Sequence, residues 1–211
     1  MTGRFITIEG GEGAGKTTQI ALLRSALEAS GIETIITREP GGSPGAEEIR
    51  GLLLGGGLDR WDTVTEALLV NAARRDHLVR SVWPALARGA WVLCDRFEDS
   101  TRAYQGAGGV SRDVIDRLGA VTRGDFKPDL TLILDIPVVI GRTRAAARSG
   151  VTDRFETRGD AFHERVREIF LEIAAAEPKR CALIDAGAET GAVAAAIRRA
   201  VEVKLGVRVS G

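Results

Sequence analysis

A glycine-rich stretch near the N-terminus carries the clearest chemical signal in the sequence. It matches the pattern G-x-x-x-x-G-K-[ST], with Gly10, Gly15, Lys16 and Thr17 in the fixed positions. Glycines let a backbone wrap around an anion, and the N-terminus of a following helix adds positive dipole. The lysine can reach the β- and γ-phosphates of a nucleotide, and the threonine hydroxyl can ligate Mg²⁺. The residues that we expect to contact a nucleoside triphosphate are Gly10, Gly11, Glu12, Gly13, Ala14, Gly15, Lys16, Thr17 and Thr18.

An aspartate at the end of an apolar run is a candidate for the metal part of the nucleotide site. Asp95 follows 92–94 and could orient Mg²⁺ or its water, while Arg96 beside it could clamp an anion. Asp135 ends another apolar run in the same way, and there we favour a cap for the next element. Arginine suits bidentate phosphate binding, although most arginines are simply solvated. The arginines near these strand ends are Arg38, Arg50, Arg74 and Arg96.

A basic segment, at about 142–158, is a candidate lid. Arg144 and Arg148 are spaced i,i+4 on a predicted helix, where like charges repel unless a phosphate lies between them. The polar break at 148–154 could move, and phosphoryl transfer needs water excluded and charge neutralised. The variable positions of the glycine loop supply no cation, so the lid is expected to supply it. The alternative is an ordinary solvated helix face.

Strands alternate with helices along the chain. Nearly all-apolar strands in such an alternation predict a parallel sheet covered on both faces, with ligands at the carboxyl ends of its strands. The predicted strands are 4–9, 33–37, 90–94, 130–134 and 180–184. The predicted helices are 19–28, 46–54, 62 to about 88 with a kink or break at Pro84, 138 to about 148, about 160–176 and about 189–203, with loop and short helices at 97–123. We therefore expect one three-layer α/β domain over residues 1–211, because no repeat or linker is visible.

The overall composition limits the classes of function. Lys+Arg and Asp+Glu both number 29, so no global basic field indicates nucleic acid or an anionic membrane. No apolar run approaches the length of a membrane span, and no signal peptide is evident. Cys94 and Cys181 lie in apolar runs and are expected to be reduced, buried thiols in a cytoplasmic protein. His77 and His163 are the only histidines in the sequence, so few residues are available for a Ser-His-Asp triad or a catalytic zinc site.

Taken together, these residues resemble the bacterial thymidylate kinases over nearly the whole chain. The glycine loop alone indicates only a nucleoside triphosphate, whereas 38–42 and 103–106 are far more specific to that family. The matching segments are 5–18, 37–42, 73–78, 95–97, 100–106 and 128–131. The resemblance implies a P-loop fold of the adenylate-kinase-like type and transfer of the γ-phosphoryl group of ATP to dTMP, giving dTDP. It also implies Mg²⁺ and a homodimer.

The resemblance further assigns roles to single residues. The dTMP phosphate would be bound by Arg38, Arg50 and Arg96, and the thymine edge by Arg74 and Gln105, with Ser100 and Thr101 nearby. Tyr104 would lie under the sugar and exclude a ribose 2′-OH, and Glu12 would face the sugar near its 3′-OH. The catalytic set would be Lys16, Arg148, Arg96 and Glu12, with Arg144 on the ATP side and Thr17 and Asp95 at the metal.

One position departs from the family pattern. Val70 stands where these kinases usually carry a phenylalanine that stacks on thymine, which would forfeit ~0.5–1.5 kcal/mol of stacking. The alternatives to a thymidylate kinase are another small-molecule P-loop kinase and, from a different class, a regulatory P-loop NTPase. Against the latter, the sequence has no N-K-x-D guanine motif, and Glu9 stands where partitioning ATPases carry a lysine.

Overall fold

A parallel sheet forms the centre of the computed structural model, which describes residues 2–57, 59–147 and 154–210. Its strands are β1 (Phe5–Gly10), β2 (Thr34–Arg38), β3 (Trp91–Asp95), β4 (Leu130–Asp135) and β5 (Cys181–Asp185). The helices are α1 (Lys16–Ala29), α2 (Pro44–Leu54), α3 (Thr63–His77), α4 (Trp83–Ala87), α5 (Glu98–Ala107), α6 (Arg112–Arg123), α7 (Val138–Ala146), α8 (Asp160–Ala176) and α9 (Thr190–Leu205). The five strands pair in the order β2-β3-β1-β4-β5, all parallel, which confirms the predicted sheet.

Helices cover both faces of this sheet. On one face, Leu27 of α1 and Ile197 of α9 pack in a cluster with apolar side chains of β1, β3 and β4. On the other face, Leu78 packs against β1 and β3, and Phe170 of α8 packs against β4. Burial on both faces explains why the central strands are nearly all apolar. The predicted three-layer α/β arrangement is confirmed.

The helical segment between α3 and α4 contains one widened turn. Residues Leu78–Val82 form a π-helix, and the amide of Trp83 donates to the carbonyl of Leu78, five residues earlier. Pro84 follows in the first turn of α4, where it lacks an amide to donate and crowds the preceding turn. The expected kink or break at Pro84 is therefore a π turn between two α-helices.

Several predicted boundaries shift by one or two residues. Strands β2, β3 and β5 begin and end one residue later than predicted, because their polar last residues remain paired in the sheet. Arg38 lies opposite Asp95 on β3, and Asp135 lies opposite Asp185. Helix α7 ends at Ala146, before the predicted end at about 148. These charged residues are thus the last paired residues of their strands, at the carboxyl edge of the sheet. Within the described ranges, no helix is both long and apolar enough to cross a membrane.

Candidate active site

The glycine loop joins β1 to α1, as its sequence predicts. Gly15 adopts a left-handed conformation, with φ of 82°, directly before the helix. Gly13 also has a positive φ, and a Cβ there would lie 1.9 Å from the carbonyl oxygen of Gly141 in α7. Only glycine permits this close approach. Gly13 therefore serves the packing of the loop on α7 as well as the curvature of the loop.

Lys16 spans the loop from the first turn of α1. Its Nζ donates to the carbonyl oxygens of Gly10 and Gly11, at 3.1 and 2.9 Å. Burial lowers the pKa of Lys16 below its usual value, and the positive charge of Arg96 adds to the effect. The ammonium is thereby oriented at the mouth of a concave backbone site, where phosphate oxygens would meet it.

A cavity of about 840 Å³ opens at the carboxyl edge of the sheet. The predicted site residues that line it are Glu12, Gly13, Ala14, Gly15, Lys16, Thr17, Thr18, Arg50, Val70, Arg74, Asp95, Arg96, Ser100, Thr101, Tyr104, Gln105 and Arg144. The structure thus brings residues from α1, α2, α3, β3, α5 and α7 to one space. A volume of this size lies within the usual range for ligand sites.

Four predicted residues stand apart from that lining. Gly10 and Gly11 turn their carbonyl groups to Lys16. The guanidinium of Arg38 is 54% exposed and pairs with Glu47 of α2 at 3.0 Å, so it lies outside the cavity. Arg148, the predicted catalytic lid residue, lies outside the described residues. Its placement therefore stays a prediction.

Glu12, Arg96 and Tyr104 form a tight cluster on the floor of the cavity. Arg96 Nη2 and the Tyr104 hydroxyl each donate to Glu12 Oε1 at 2.7 Å, and the guanidinium of Arg96 lies 4.8 Å from the centre of the Tyr104 ring. Burial alone would raise the pKa of Glu12, but Arg96, Lys16 and Tyr104 together lower it to about 2. Glu12 is therefore an anion held by cations, which resolves the apparent paradox of an acid inside an anion-binding loop.

Arg96 also has an unusual backbone. It has a φ of 69°, in the left-handed region that non-glycine residues rarely adopt. Its amide remains paired with the carbonyl of Ile8 at 3.0 Å, and its Nη1 donates to Gly10 O at 3.1 Å. Strained backbone of this kind is concentrated at functional sites. Here it turns the side chain from the end of β3 back toward the glycine loop.

Arg74 is fixed by a buried network that the sequence did not reveal. Its Nε donates to Glu39 Oε2 at 2.7 Å and its Nη2 to the Thr101 hydroxyl at 2.8 Å. Glu39 also pairs with His77 Nδ1 at 2.9 Å, and Arg74 is only 1% exposed. Removing one partner of such a buried pair leaves an uncompensated charge. Glu39 lies beside Arg38 in the family-specific segment 38–42, but no role for its own side chain could be predicted from the sequence.

The two strand-ending aspartates differ in their partners. Asp95 lines the cavity, and its Oδ1 is buried without a hydrogen-bond partner among the described residues. Asp135 instead accepts two bonds from Arg167 of α8, at 2.7 and 3.0 Å. Asp135 thus ties β4 to α8, whereas the Asp95 carboxylate keeps an oxygen that no described side chain satisfies.

Two residues of the cavity could ligate Mg²⁺. Asp95 and the exposed Thr17 both line the cavity. Among the residues that the structure describes, no cluster of three or more His, Cys, Asp or Glu side chains could hold a metal. Mg²⁺ commonly binds one or two protein groups and completes its shell with substrate phosphates and waters. The unsatisfied oxygen of Asp95 and the Thr17 hydroxyl fit that donor set.

A second part of the cavity wall could not be predicted from the sequence. The loop 186–190 lines it together with Gln19. Arg144 Nη1 donates to Ala186 O at 3.0 Å, and Gln19 Nε2 donates to Thr190 O at 3.1 Å. No local pattern in the sequence marks this loop, because its role depends on how the start of α9 lies beside α1.

The described part of the basic segment makes ion pairs within the fold. Arg142 pairs with Asp160, and Arg154 and Arg158 both pair with Glu66 of α3. Glu66 has no distinguishing signal in the sequence, since one acidic residue in a helix usually marks a solvated face. It is 1% exposed in the structure.

Comparisons with known proteins agree with one another. The family model described as thymidylate kinase matches residues 8–197. A thymidylate kinase of Rhodopseudomonas palustris is 59% identical over 209 residues, covering 97% of this chain and 91% of that protein. One from Caulobacter vibrioides is 59% identical over 206 residues, covering 97% and 99%. The crystal structure of a thymidylate kinase from Ehrlichia chaffeensis superposes with a TM-score of 0.78 at 34% identity, covering 94% of this chain and 98% of that one.

Proposed function

The chain belongs to the thymidylate kinase family, and we propose that the cavity at the carboxyl edge of its sheet holds both nucleotides of the reaction. The enzyme transfers the γ-phosphoryl group of ATP to dTMP and so produces dTDP for dTTP synthesis. The observation that carries the proposed site is the contact between Glu12 of the glycine loop and two residues of the opposite wall, Arg96 and Tyr104. Because of this contact, the phosphate-binding loop and the acceptor residues lie on one continuous surface.

ATP is proposed to lie along the glycine loop. The loop amides and Lys16 would bind its phosphates, and Arg144 with Gln19 and the loop 186–190 would border its base. Thr17 and Asp95 would hold Mg²⁺. When bound, the ion neutralises charge on the transferring phosphates.

The acceptor end of the cavity is the part lined by Arg50, Val70, Arg74, Tyr104 and Gln105. Arg50 and Arg96 are proposed to bind the dTMP phosphate, and Arg38 would have to leave Glu47 to join them. The thymine edge would meet Arg74 and Gln105, with Ser100 and Thr101 beside them. The Tyr104 ring would lie under the sugar, with Glu12 near the 3′-OH.

The transfer itself needs little covalent chemistry from the protein. An oxygen of the dTMP phosphate would attack the γ-phosphorus in line, while the bond from that phosphorus to the β,γ-bridging oxygen breaks and ADP leaves. The attacking oxygen is already an anion, so no general base is required. Lys16 and Arg96, together with Arg148 of a lid over about 142–158, would stabilise the charge that spreads over the transferring group. We propose Lys16, Arg148, Arg96 and Glu12 as the catalytic set.

We further propose that the enzyme is a homodimer and acts in the cytoplasm. Helices α3 and α6 pack on each other, and each carries an exposed apolar side chain, Leu68 at 50% and Val121 at 84% exposure. A second copy could cover such side chains. Cys94 and Cys181 are free and buried, which suits a reducing compartment.

Substitution of Lys16 tests the proposed site. Lys16→Ala should abolish dTMP-dependent ADP formation while leaving the melting temperature near that of the wild type, because the hydrogen bonds of its ammonium within the described residues go to loop carbonyls. Glu28→Gln, which breaks an exposed pair with Arg24, is the matched control and should retain full activity. A folded Lys16→Ala protein with near-normal turnover would remove the glycine loop from the reaction.

A further inference from the structure

A buried carboxylate on α3, to which the proposed function gives no role, contacts side chains from two other segments of the chain. Glu66 lies in the first turn of α3 and is 1% exposed. Its Oε1 accepts from the guanidinium groups of Arg154 and Arg158, the latter at 3.3 Å. Its Oε2 lies 3.5 Å from Nε2 of Gln105, a long contact. One carboxylate thus faces two arginines of the basic segment and an amide of α5.

Both sets of partners lie at or next to the wall of the acceptor end. Gln105 lines the cavity, and so do Phe155 and Glu156, which lie between the two arginines in the chain. The Phe155 ring meets the Tyr104 ring edge-on, with centroids 6.0 Å apart. Segment 154–158 is therefore pressed against the acceptor end, and Glu66 is the acid that holds it there.

The electrostatics make this arrangement dependent on Glu66. The side chain of Arg154 is only 3% exposed, and its Nε and Nη1 are buried without hydrogen-bond partners among the described residues. A buried guanidinium is tolerated only with an opposite charge beside it. Without Glu66, Arg154 would gain free energy by moving to water, and it would take Phe155 and Glu156 with it. Gln105 would lose a contact that orients its amide.

We propose that Glu66 is a positioning residue that fixes segment 154–158 and the Gln105 amide as the wall against which the dTMP base binds. The inference rests on the acceptor end assigned under the proposed function. It predicts that Glu66 governs the binding of dTMP much more than the binding of ATP, although it reaches neither nucleotide itself.

Steady-state kinetics on Glu66→Gln, Glu66→Asp and the surface control Glu28→Gln test this. Glu66→Gln should raise KM for dTMP and the dissociation constant from dTMP titration by about tenfold or more, as expected for losing a buried charged hydrogen bond. KM for ATP should change by less than about threefold. Glu66→Asp keeps the charge and should recover part of the dTMP affinity, and Glu28→Gln should match the wild type.

Limited trypsin digestion supplies a readout of the segment itself. Mass spectrometry should show cleavage after Arg154 and Arg158 about tenfold faster in Glu66→Gln than in the wild type, because exposed backbone is cut through local opening. If Glu66→Gln does not fold, Arg158→Gln removes the more exposed of the two arginine partners of Glu66, whose side chain is 19% exposed. It should raise KM for dTMP and speed cleavage after Arg154, the tryptic site that this variant keeps.

A lower melting temperature with unchanged KM for dTMP and unchanged cleavage would overturn the proposal and leave Glu66 a purely structural group. Equal increases in both KM values would overturn it as well. Failure of the wild type to bind dTMP would instead contradict the assigned acceptor end, so the two failures are distinguishable.

Discussion

Restoring an aromatic ring at position 70 tests the placement of the thymine base. Val70 is 9% exposed and lines the cavity one helical turn before Arg74. Residues four apart share a helix face, so a base that Arg74 reads at its edge is within reach of residue 70. Arg74 cannot shift to accommodate a different pose, because Glu39 and Thr101 hold its guanidinium.

The magnitude follows from what the ring would contact. A stacked aromatic pair contributes ~0.5–1.5 kcal/mol beyond its buried area, so Val70→Phe should tighten dTMP binding roughly two- to tenfold. Overpacking in a filled core would cost about 1–3 kcal/mol. Since Val70 borders open space and not only core, the added ring is expected to enter the cavity. The kcat of the saturated enzyme should barely change.

Calorimetric titration of dTMP into both proteins, with their melting temperatures, decides the matter. Val203→Phe makes the same change at a 74% exposed position of α9 and should leave dTMP binding unchanged. An unchanged affinity in an equally stable Val70→Phe protein would mean that residue 70 does not face the base. The assignment of α3 to the acceptor end would then be refuted.

Three further substitutions probe other parts of the account. Arg148→Ala should lower kcat by up to ~10³–10⁵ with a smaller effect on dTMP affinity; collapse of dTMP binding with normal kcat would place Arg148 at the acceptor instead. Tyr104→Ala should narrow the preference for dTMP over its ribose counterpart, and an unchanged ratio of kcat/KM values would remove Tyr104 from that role. Burial, followed by the charge of Asp99, raises the pKa of Glu9 from 4.5 to about 8, so the folded protein binds a proton there that the unfolded chain releases. The free energy of unfolding should therefore fall as pH rises from about 5 to about 8, and Glu9→Gln should flatten that slope in urea titrations; equal slopes would contradict it.

The sequence predicted most of the sheet and the phosphate-binding end of the site. Strand β1 is buried throughout, as its apolar residues predict, and the loop glycines Gly10, Gly13 and Gly15 have the positive φ that their pattern implies. Asp95 and Arg96 were found because a polar pair after an apolar run marks the carboxyl edge of a sheet. In each case the signal is local in the chain.

Long-range pairings could not be predicted in the same way. Glu39 and Arg74 are 35 residues apart, and Glu66 and Arg154 are 88 apart. Their side chains meet only after α3 comes to lie against the loop that follows β2, and after 154–158 folds back onto the start of α3. An isolated acid in a helix has the same appearance in the sequence whether it is solvated or buried against arginines. The pairing of Arg38 with Glu47 of the next helix could not be predicted from the sequence either, and the role of Arg38 at the dTMP phosphate stays a prediction.

A competition among acceptor nucleotides tests whether dTMP is the substrate that the enzyme phosphorylates. The protein would be incubated with Mg²⁺, ATP labelled in the γ-phosphate, and an equimolar mixture of dTMP, dUMP, dCMP, dGMP and AMP, and the labelled products separated. We expect label chiefly in dTDP, and no labelled diphosphate with Lys16→Ala. Label chiefly in another diphosphate, or ATP consumption that dTMP does not stimulate, would contradict it.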